Sequence, residues 1–271
     1  MSRVRVTEAH VASLADTLSP REHAIVATLD RLRIASATQL SRLHFIDAGT
    51  PRTAARRTRR TLHRLVSRRV ILRLDRRIGG PGAGSADYVY ALDVAGQRLA
   101  SACGPAGGAR IRRPWTPGVS FLRHGLAVSE LYVRLWEAEI AGGLDLLDFD
   151  AEPLCWRTFT GIGGARLALK PDAFLRLGIG DYEAFYFIEV DRATQSRPAI
   201  TRKLTRYRRY HQTGREQKRF GVFPKVLLLV PSERRKAALV DLAAAQPAAS
   251  WELFQVARYD DAVAVLTGAL A

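Results

Sequence analysis

Three helices followed by a hairpin, a glycine- and proline-rich break, and then strands alternating with helices predict an α+β chain in two parts. The N-terminal part reads as a winged helix-turn-helix and the C-terminal part as a mixed α/β layer domain. The chain has 271 residues, 47% of them hydrophobic, which is enough apolar material for globular cores in two modest domains. No stretch approaches the ~18 uninterrupted apolar residues of a membrane helix. Residues 1–8 hold no apolar run before a cleavage site, so no secretory signal is expected. Cys103 and Cys155 stand far apart without a CxxC or Cys/His pattern. That argues against a zinc site or a disulfide framework and suits a reducing cytoplasm.

The first domain is expected over residues 1–103. Ser19 followed by Pro20 is a side-chain cap with proline at the first helical position, and Ile25, Leu29 and Leu32 recur at helical spacing. Residues 38–43 give a short second helix. After the turn Asp47-Ala48-Gly49, Thr50 and Pro51 repeat the cap-and-proline start for a third helix over 52–69. Thr58, Leu62, Leu65 and Val66 supply its buried stripe. Arg52, Arg56, Arg59 and His63 share another face, with Arg60, Arg64 and Arg68 beside them. Residues 70–78 read as a strand, 79–85 as a glycine-rich tip, and 88–92 as the returning strand. A short helix at 93–99 closes the domain. In this arrangement the third helix enters the major groove, and the arginine-flanked wing touches backbone or minor groove.

The charge agrees with that reading. Lys and Arg number 42 against 26 Asp and Glu, for a net charge of +16. Residues 52–77 hold eleven arginines and one acid, Asp75, while residues 197–225 hold ten basic residues and one acid, Glu216. The remainder is close to neutral. A single charge run is ordinarily a solvated face. Two runs, the first purely arginine, point to a polyanion, because arginine makes planar bidentate contacts with phosphate and guanine. The expected DNA-binding residues are Arg52, Arg56, Arg57, Arg59, Arg60, Arg64, Arg76 and Arg77 in the first run, and Arg202 and Arg206 in the second.

Residues 104–118, rich in glycine and proline, read as a linker, and 119–271 as the second domain. Its expected elements are a helix at 122–140, a strand at 144–149, an extended segment at 167–177 and a strand at 182–191. A helix at 198–211, a strand at 225–230, a helix at 232–245, a strand at 251–256 and a final helix at 260–271 complete it. Centring the turn between Ile179 and Gly180 places Asp172 opposite Phe187, and period-two alternation then brings Asp172, Glu189 and Asp191 to one face. Carboxylates at the end of a buried strand need partners. Either they hold a divalent metal for phosphodiester chemistry, or nearby arginines such as Arg192 and Arg202 satisfy them.

The residues also resemble the replication-relaxation family. The stretches that carry the resemblance are Leu18-Ser19-Pro20-Arg21, Ser85-Ala86-Asp87-Tyr88-Val89-Tyr90-Ala91-Leu92 and His124-Gly125-Leu126-Ala127-Val128. Further along come Leu169-Lys170-Pro171-Asp172-Ala173, Phe187-Ile188-Glu189-Val190-Asp191-Arg192-Ala193-Thr194 and Lys203-Leu204-Thr205-Arg206-Tyr207. The resemblance spans about residues 18–230 and implies DNA binding on plasmids or mobile elements. It also implies that the second domain is similar to the PD-(D/E)xK nucleases, a restriction-endonuclease-like α/β fold. The catalytic candidates it implies are Asp172, Glu189 and Lys203, its metal carboxylates are Asp172 and Glu189, to which the hairpin pairing above adds Asp191, and Glu130 is an accessory acid. The nuclease motif sets lysine two residues after the second acid, where this chain has Asp191; Lys203 or Lys170 would have to take its place.

Two functions follow for test. One is a DNA-binding protein acting in replication, transfer or regulation of a plasmid or mobile element, with a degenerate nuclease-like domain and no cofactor. The other is an endodeoxyribonuclease or nickase that uses Asp172 and Glu189 with Mg²⁺. A tyrosine relaxase needs a histidine pair beside a nucleophilic tyrosine, and the six histidines form no HxH. The expected partners are double-stranded DNA, a second copy of the chain in a homodimer, and replication or transfer proteins, in the cytoplasm on nucleoid or plasmid, with no membrane.

Overall fold

The computed structural model describes residues 6–74, 87–103 and 117–269, and its mixed helices and sheets agree with the expected α+β class. The chain divides into two units, Met1–Val133 and Arg134–Ala271.

The first unit runs α1 (Glu8–Thr17), α2 (Pro20–Leu32), β1 (Ala35–Ser36), α3 (Ala37–His44), α4 (Pro51–Ser67), β2 (Ile71–Arg73), β3 (Val89–Leu92), α5 (Val94–Cys103) and the start of α6 (Val119–Ile140). Local chemistry sets the helix starts. At α2, Ser19 Oγ accepts from the Glu22 N–H while the Glu22 carboxylate accepts from the Ser19 N–H, a reciprocal capping box. Ser36 and Gln39 repeat the device at α3. Thr50 Oγ1 caps α4 through the Thr53 N–H at 3.2 Å, and Pro51 takes the first helical position. Ile25, Leu29, Leu40, Leu62, Leu65, Ile71 and Leu99 share one core.

The sheet of this unit has the order β1-β3-β2, antiparallel throughout. β1 is two residues long and too short to show any periodicity in sequence. The predicted glycine-rich tip, with Arg76 and Arg77, lies outside the described residues, as does the predicted linker apart from residues 117 and 118. The first half of α6 packs in the first unit. A Cβ on Gly125 would stand 2.7 Å from Ile34 Cδ1, and Ser129 Oγ donates to the Ile34 carbonyl at 2.7 Å.

The second unit continues with β4 (Asp145–Ala151), β5 (Arg157–Thr160), β6 (Arg166–Leu169), β7 (Ala173–Ile179) and β8 (Tyr182–Val190). After them come α7 (Arg197–His211), α8 (Arg215–Phe220), β9 (Lys225–Val230), α9 (Glu233–Ala244), β10 (Phe254–Arg258) and α10 (Ala262–Leu266). Five strands form one sheet in the order β10-β9-β8-β7-β4, and β5 pairs with β6 separately. β8, β9 and β10 are parallel, and β7 is antiparallel to both β8 and β4. The core beneath α7 and α9 gathers Phe174, Phe187, Tyr207, Val226, Leu228 and Leu239.

Three expectations change here. The single extended segment at 167–177 is two strands in different sheets. Pro171 lacks an N–H and cannot continue a ladder, so β6 stops at Leu169 and β7 begins at Ala173. The strand expected at 251–256 is a 3₁₀ turn that gives way to β10 at Phe254. The final helix, expected over 260–271, is α10 at Ala262–Leu266.

Candidate nucleic-acid interface and buried carboxylate site

α4 separates its residues as an amphipathic helix should. Thr58, Leu62 and Leu65 are buried, with Thr58 Oγ1 donating to Ser41 Oγ at 3.0 Å on α3. Arg52, Arg56, Arg57, Arg59 and Arg60 are exposed. The side chains of Arg52, Arg56 and Arg60 make no hydrogen bond or ion pair with another described residue. Arg57 lies 4.0 Å from Asp47, which is already bound by Arg21 at 2.8 Å. Arg59 Nε donates to the Ala55 carbonyl at 3.3 Å on its own helix. Arg64 differs from these: its Nε donates at 2.8 Å to Glu22 Oε1, a carboxylate only 2% exposed that also closes the α2 capping box. Those hydrogen bonds outweigh the burial of Glu22 and hold its carboxyl below the usual range.

In the second unit, the β7–β8 turn centres on Gly180 and Asp181, so that Ile179 pairs with Tyr182 and Ala173 with Ile188. Gly180 accepts this turn at φ 56°. Asp172 therefore stands next to Glu189 rather than Phe187. The shift from the expected register is two residues, which moves a side chain along the strand without flipping its face. The Asp172 N–H donates to the Ile188 carbonyl at 3.0 Å, and Asp172 Oδ2 accepts the Val190 N–H at 2.7 Å.

Glu189 is 2% exposed, and two groups from α7 reach it. Lys203 Nζ donates to Oε2 in a short ion pair, and Tyr207 OH donates to Oε1 at 2.7 Å. Lys203 and Tyr207 lie one helical turn apart, so one face of α7 supplies both. Burial pushes the Glu189 carboxyl up to about 7, and the charge of Asp172 adds to this while Lys203 and Tyr207 oppose it. Burial also works against charge on Lys203, but Glu189 and Asp172 more than offset it and hold the ammonium above its ordinary range. The Tyr207 hydroxyl is pushed well up by burial and by Glu189, which keeps it a donor.

Asp191, in the position where the nuclease motif has lysine, accepts from Arg235 Nε at 2.5 Å on α9. Its Oδ1 is buried without a hydrogen-bond partner. Lys170 points elsewhere, with Nζ 4.4 Å from the centre of the Trp156 ring. Glu130 is engaged within the first unit by Arg42 at 2.6 Å and Gln39 at 3.1 Å. The expected set for Mg²⁺ fits poorly as arranged: both Glu189 oxygens hold protein donors, and Asp191 is bound to Arg235. Among the described residues no group of three or more His, Cys, Asp and Glu side chains could hold a metal ion. Arg235 pairs with Asp191 and Tyr207 joins Lys203 on Glu189, while Arg202, one of the arginines expected to satisfy these acids, is exposed on α7. No spacing rule points to Arg235 or Tyr207, since each arrives from a separate helix.

Arg202 and Arg206 are exposed on α7, opposite the buried stripe Ile200, Leu204, Tyr207 and Tyr210. Sequence reasoning missed a second buried polar group altogether. Glu216 accepts from Arg157 Nε at 2.9 Å and from Tyr210 OH at 2.5 Å, and the Arg157 guanidinium lies 5.2 Å from the Phe174 ring. One acid inside a basic run is the only trace of it in the sequence, and Tyr210, like Tyr207, proves to be a buried donor as well as a packing residue.

An α+β chain with an arginine-faced helix in one unit and helix-bound carboxylates in the other defines a strongly basic protein of mixed architecture. A comparison with protein families matches replication-relaxation over residues 26–226, and the chain belongs to that family. Membership supports a role in replication-related DNA processes. No curated protein and no solved structure matches the chain. No helix among the described residues is long and apolar enough to cross a membrane.

Proposed function

We infer that the protein binds double-stranded DNA through a winged helix-turn-helix formed by α2, α3, α4 and the β1-β3-β2 sheet. It would do so in the replication, transfer or regulation of a plasmid or mobile element, in the cytoplasm. One observation carries this reading: the outer face of α4 presents Arg52, Arg56 and Arg60 without internal partners, so these guanidiniums are available for phosphate or guanine at no cost in broken ion pairs. The antiparallel three-stranded sheet beside the helices supports it. In this reading the second unit is a nuclease-like domain that has lost catalysis. The Arg235–Asp191 pair at the motif position and the filled oxygens of Glu189 both support that loss.

Gel-shift titration tests the assignment. Arg56→Ala/Arg60→Ala weakens duplex binding, whereas a double variant binding as tightly as the parent would remove α4 from the interface.

A second reading, an endodeoxyribonuclease or nickase, is favoured by the arrival of Lys203 at Glu189 beside Asp172. Supercoiled plasmid incubated with Mg²⁺ or Mn²⁺ decides between the two. Cleavage by the parent that is lost in Asp172→Ala/Glu189→Ala establishes the nuclease, and intact plasmid in every condition eliminates it.

A further inference from the structure

The separate β5–β6 hairpin has two unlike faces. Leu169 and Phe159 are buried and point to the core, with Arg157 beside them. The opposite face carries Thr158 and Thr160 on β5 and Arg166 and Ala168 on β6, in the pairs Thr158–Ala168 and Thr160–Arg166. Just beyond β5 and β6, continuing the same alternation, come Trp156 and Lys170, which meet with the ammonium 4.4 Å from the indole centre. All of these except Ala168 are exposed, and none is acidic. Arg215 adds another cation at the edge by donating to the Thr158 carbonyl at 2.7 Å.

Trp156 is 38% exposed, an unusual surface group, and Leu154 beside it is 61% exposed. A solvated charged face does not need either. A stacking platform flanked by lysine, arginines and hydroxyls is what a single nucleic-acid strand requires: a π-face for a base and donors for the backbone. The position matters as much as the composition. The turn holding Trp156 is tied to the Asp172 segment by the Glu152 N–H on the Asp172 carbonyl at 3.1 Å and by Cys155 Sγ on the Pro171 carbonyl at 3.0 Å. Lys170 precedes Asp172 by two residues. A strand stacked on Trp156 would therefore lie beside the Asp172–Glu189 pair.

We propose that the outer face of the β5–β6 hairpin binds single-stranded DNA, with Trp156 stacking on a base and Lys170 and Arg166 contacting phosphates. The proposal rests on the reading of the protein as DNA-binding, but it names a second surface and a different form of DNA from the one assigned to α4.

The test uses the full chain, a 15-nucleotide oligo-dT, an oligo-rU of equal length and a duplex, with tryptophan fluorescence and anisotropy as readouts. Oligo-dT quenches the parent's fluorescence. Trp156→Ala loses most of that quench and about tenfold to a hundredfold in affinity, the usual worth of one stacked base. Trp156→Phe keeps most of the affinity, and Lys170→Gln/Arg166→Gln flattens the salt dependence for oligo-dT. Duplex affinity stays with Arg56 and Arg60 and is little changed in Trp156→Ala. Folding of each variant is checked by circular dichroism, and the exposed position of Trp156 makes its removal mild. The proposal is overturned by oligo-dT affinity unchanged in folded Trp156→Ala, by equal losses for oligo-dT and duplex, by tighter binding of oligo-rU, or by no oligo-dT binding at all. A parent that binds oligo-dT but no duplex removes the α4 reading and leaves this one standing.

Discussion

His44, the last residue of α3, shares a hydrogen bond of 3.0 Å with Thr28 Oγ1 on α2. Burial, helped by the charge of Arg21, lowers its pKa from 6.5 to about 4, so it is neutral in the folded protein at pH values where the unfolded chain would protonate it. The depressed value gives stability that is fully present above pH 6.5 and lost as pH falls toward 4, up to about 3 kcal/mol. Thermal melts across this range are expected to show the loss, and His44→Gln is expected to flatten it. An acid limb of unchanged steepness in the variant would contradict the burial argument. Glu189 behaves in the opposite sense in the other unit: a carboxyl raised from 4.5 to about 7 favours folding at the acid end of that span and weakens it as pH rises through 7. Neither shift is legible in the sequence, because Thr28, Arg21, Lys203 and Tyr207 reach these groups only through the fold.

The secondary-structure elements are where the sequence is most informative, and the reason is local. Ser19-Pro20 and Thr50-Pro51 carry their own hydrogen-bond and φ preferences, so the starts of α2 and α4 can be read without a fold. β1, β5 and α8 cannot, since two to six residues hold too little pattern and their pairing partners are distant. Some residues of the stretches that carry the family resemblance acquire physical roles at this scale. Asp87 Oδ2 accepts the Thr38 N–H at 2.9 Å in the first turn of α3, a favourable place for a negative charge, and Gly125 lets α6 approach Ile34. Gly96 in α5 is a tighter case: a Cβ there would stand 2.1 Å from the Val70 carbonyl oxygen, which the Asp93 N–H already fixes at 3.0 Å. Gly96→Ala is expected to lower stability by about 2 kcal/mol or more in urea denaturation, despite alanine's better helix propensity. A stabilised variant would mean that α5 does not approach Val70, just before β2, so closely.

Across the whole molecule, the net charge of +16 divides between α4 with its flanks and the region of α7 and α8, while the buried acids Glu22, Glu189, Asp191 and Glu216 each sit against a basic side chain. The basic runs are therefore not uniform. Arg64 and Lys203 within the runs, like Arg157 and Arg235 outside them, are internal partners, and Arg52, Arg56, Arg60, Arg202 and Arg206 remain outward. Composition gives the excess; only the fold sorts the cations that hold the protein together from those left on its surface. Log affinity for duplex against log salt is expected to lose roughly two units of slope in Arg56→Ala/Arg60→Ala, at ~0.9 per phosphate contact. A slope identical to the parent's would place both side chains away from phosphate.

Lys203 approaches Glu189 from α7, fourteen residues downstream, instead of from the strand that carries the acid. What an ammonium does for a carboxylate depends on where its nitrogen ends, and a helix packed on a sheet can deliver it as well as a neighbouring strand position can. A linear pattern that demands lysine two residues after the acid passes over this chain. A three-dimensional template of one acid at a strand start, a second at the adjacent strand end and a helix-borne lysine and tyrosine on its oxygens would find it, along with any other protein in which a helix brings a lysine to such an acid.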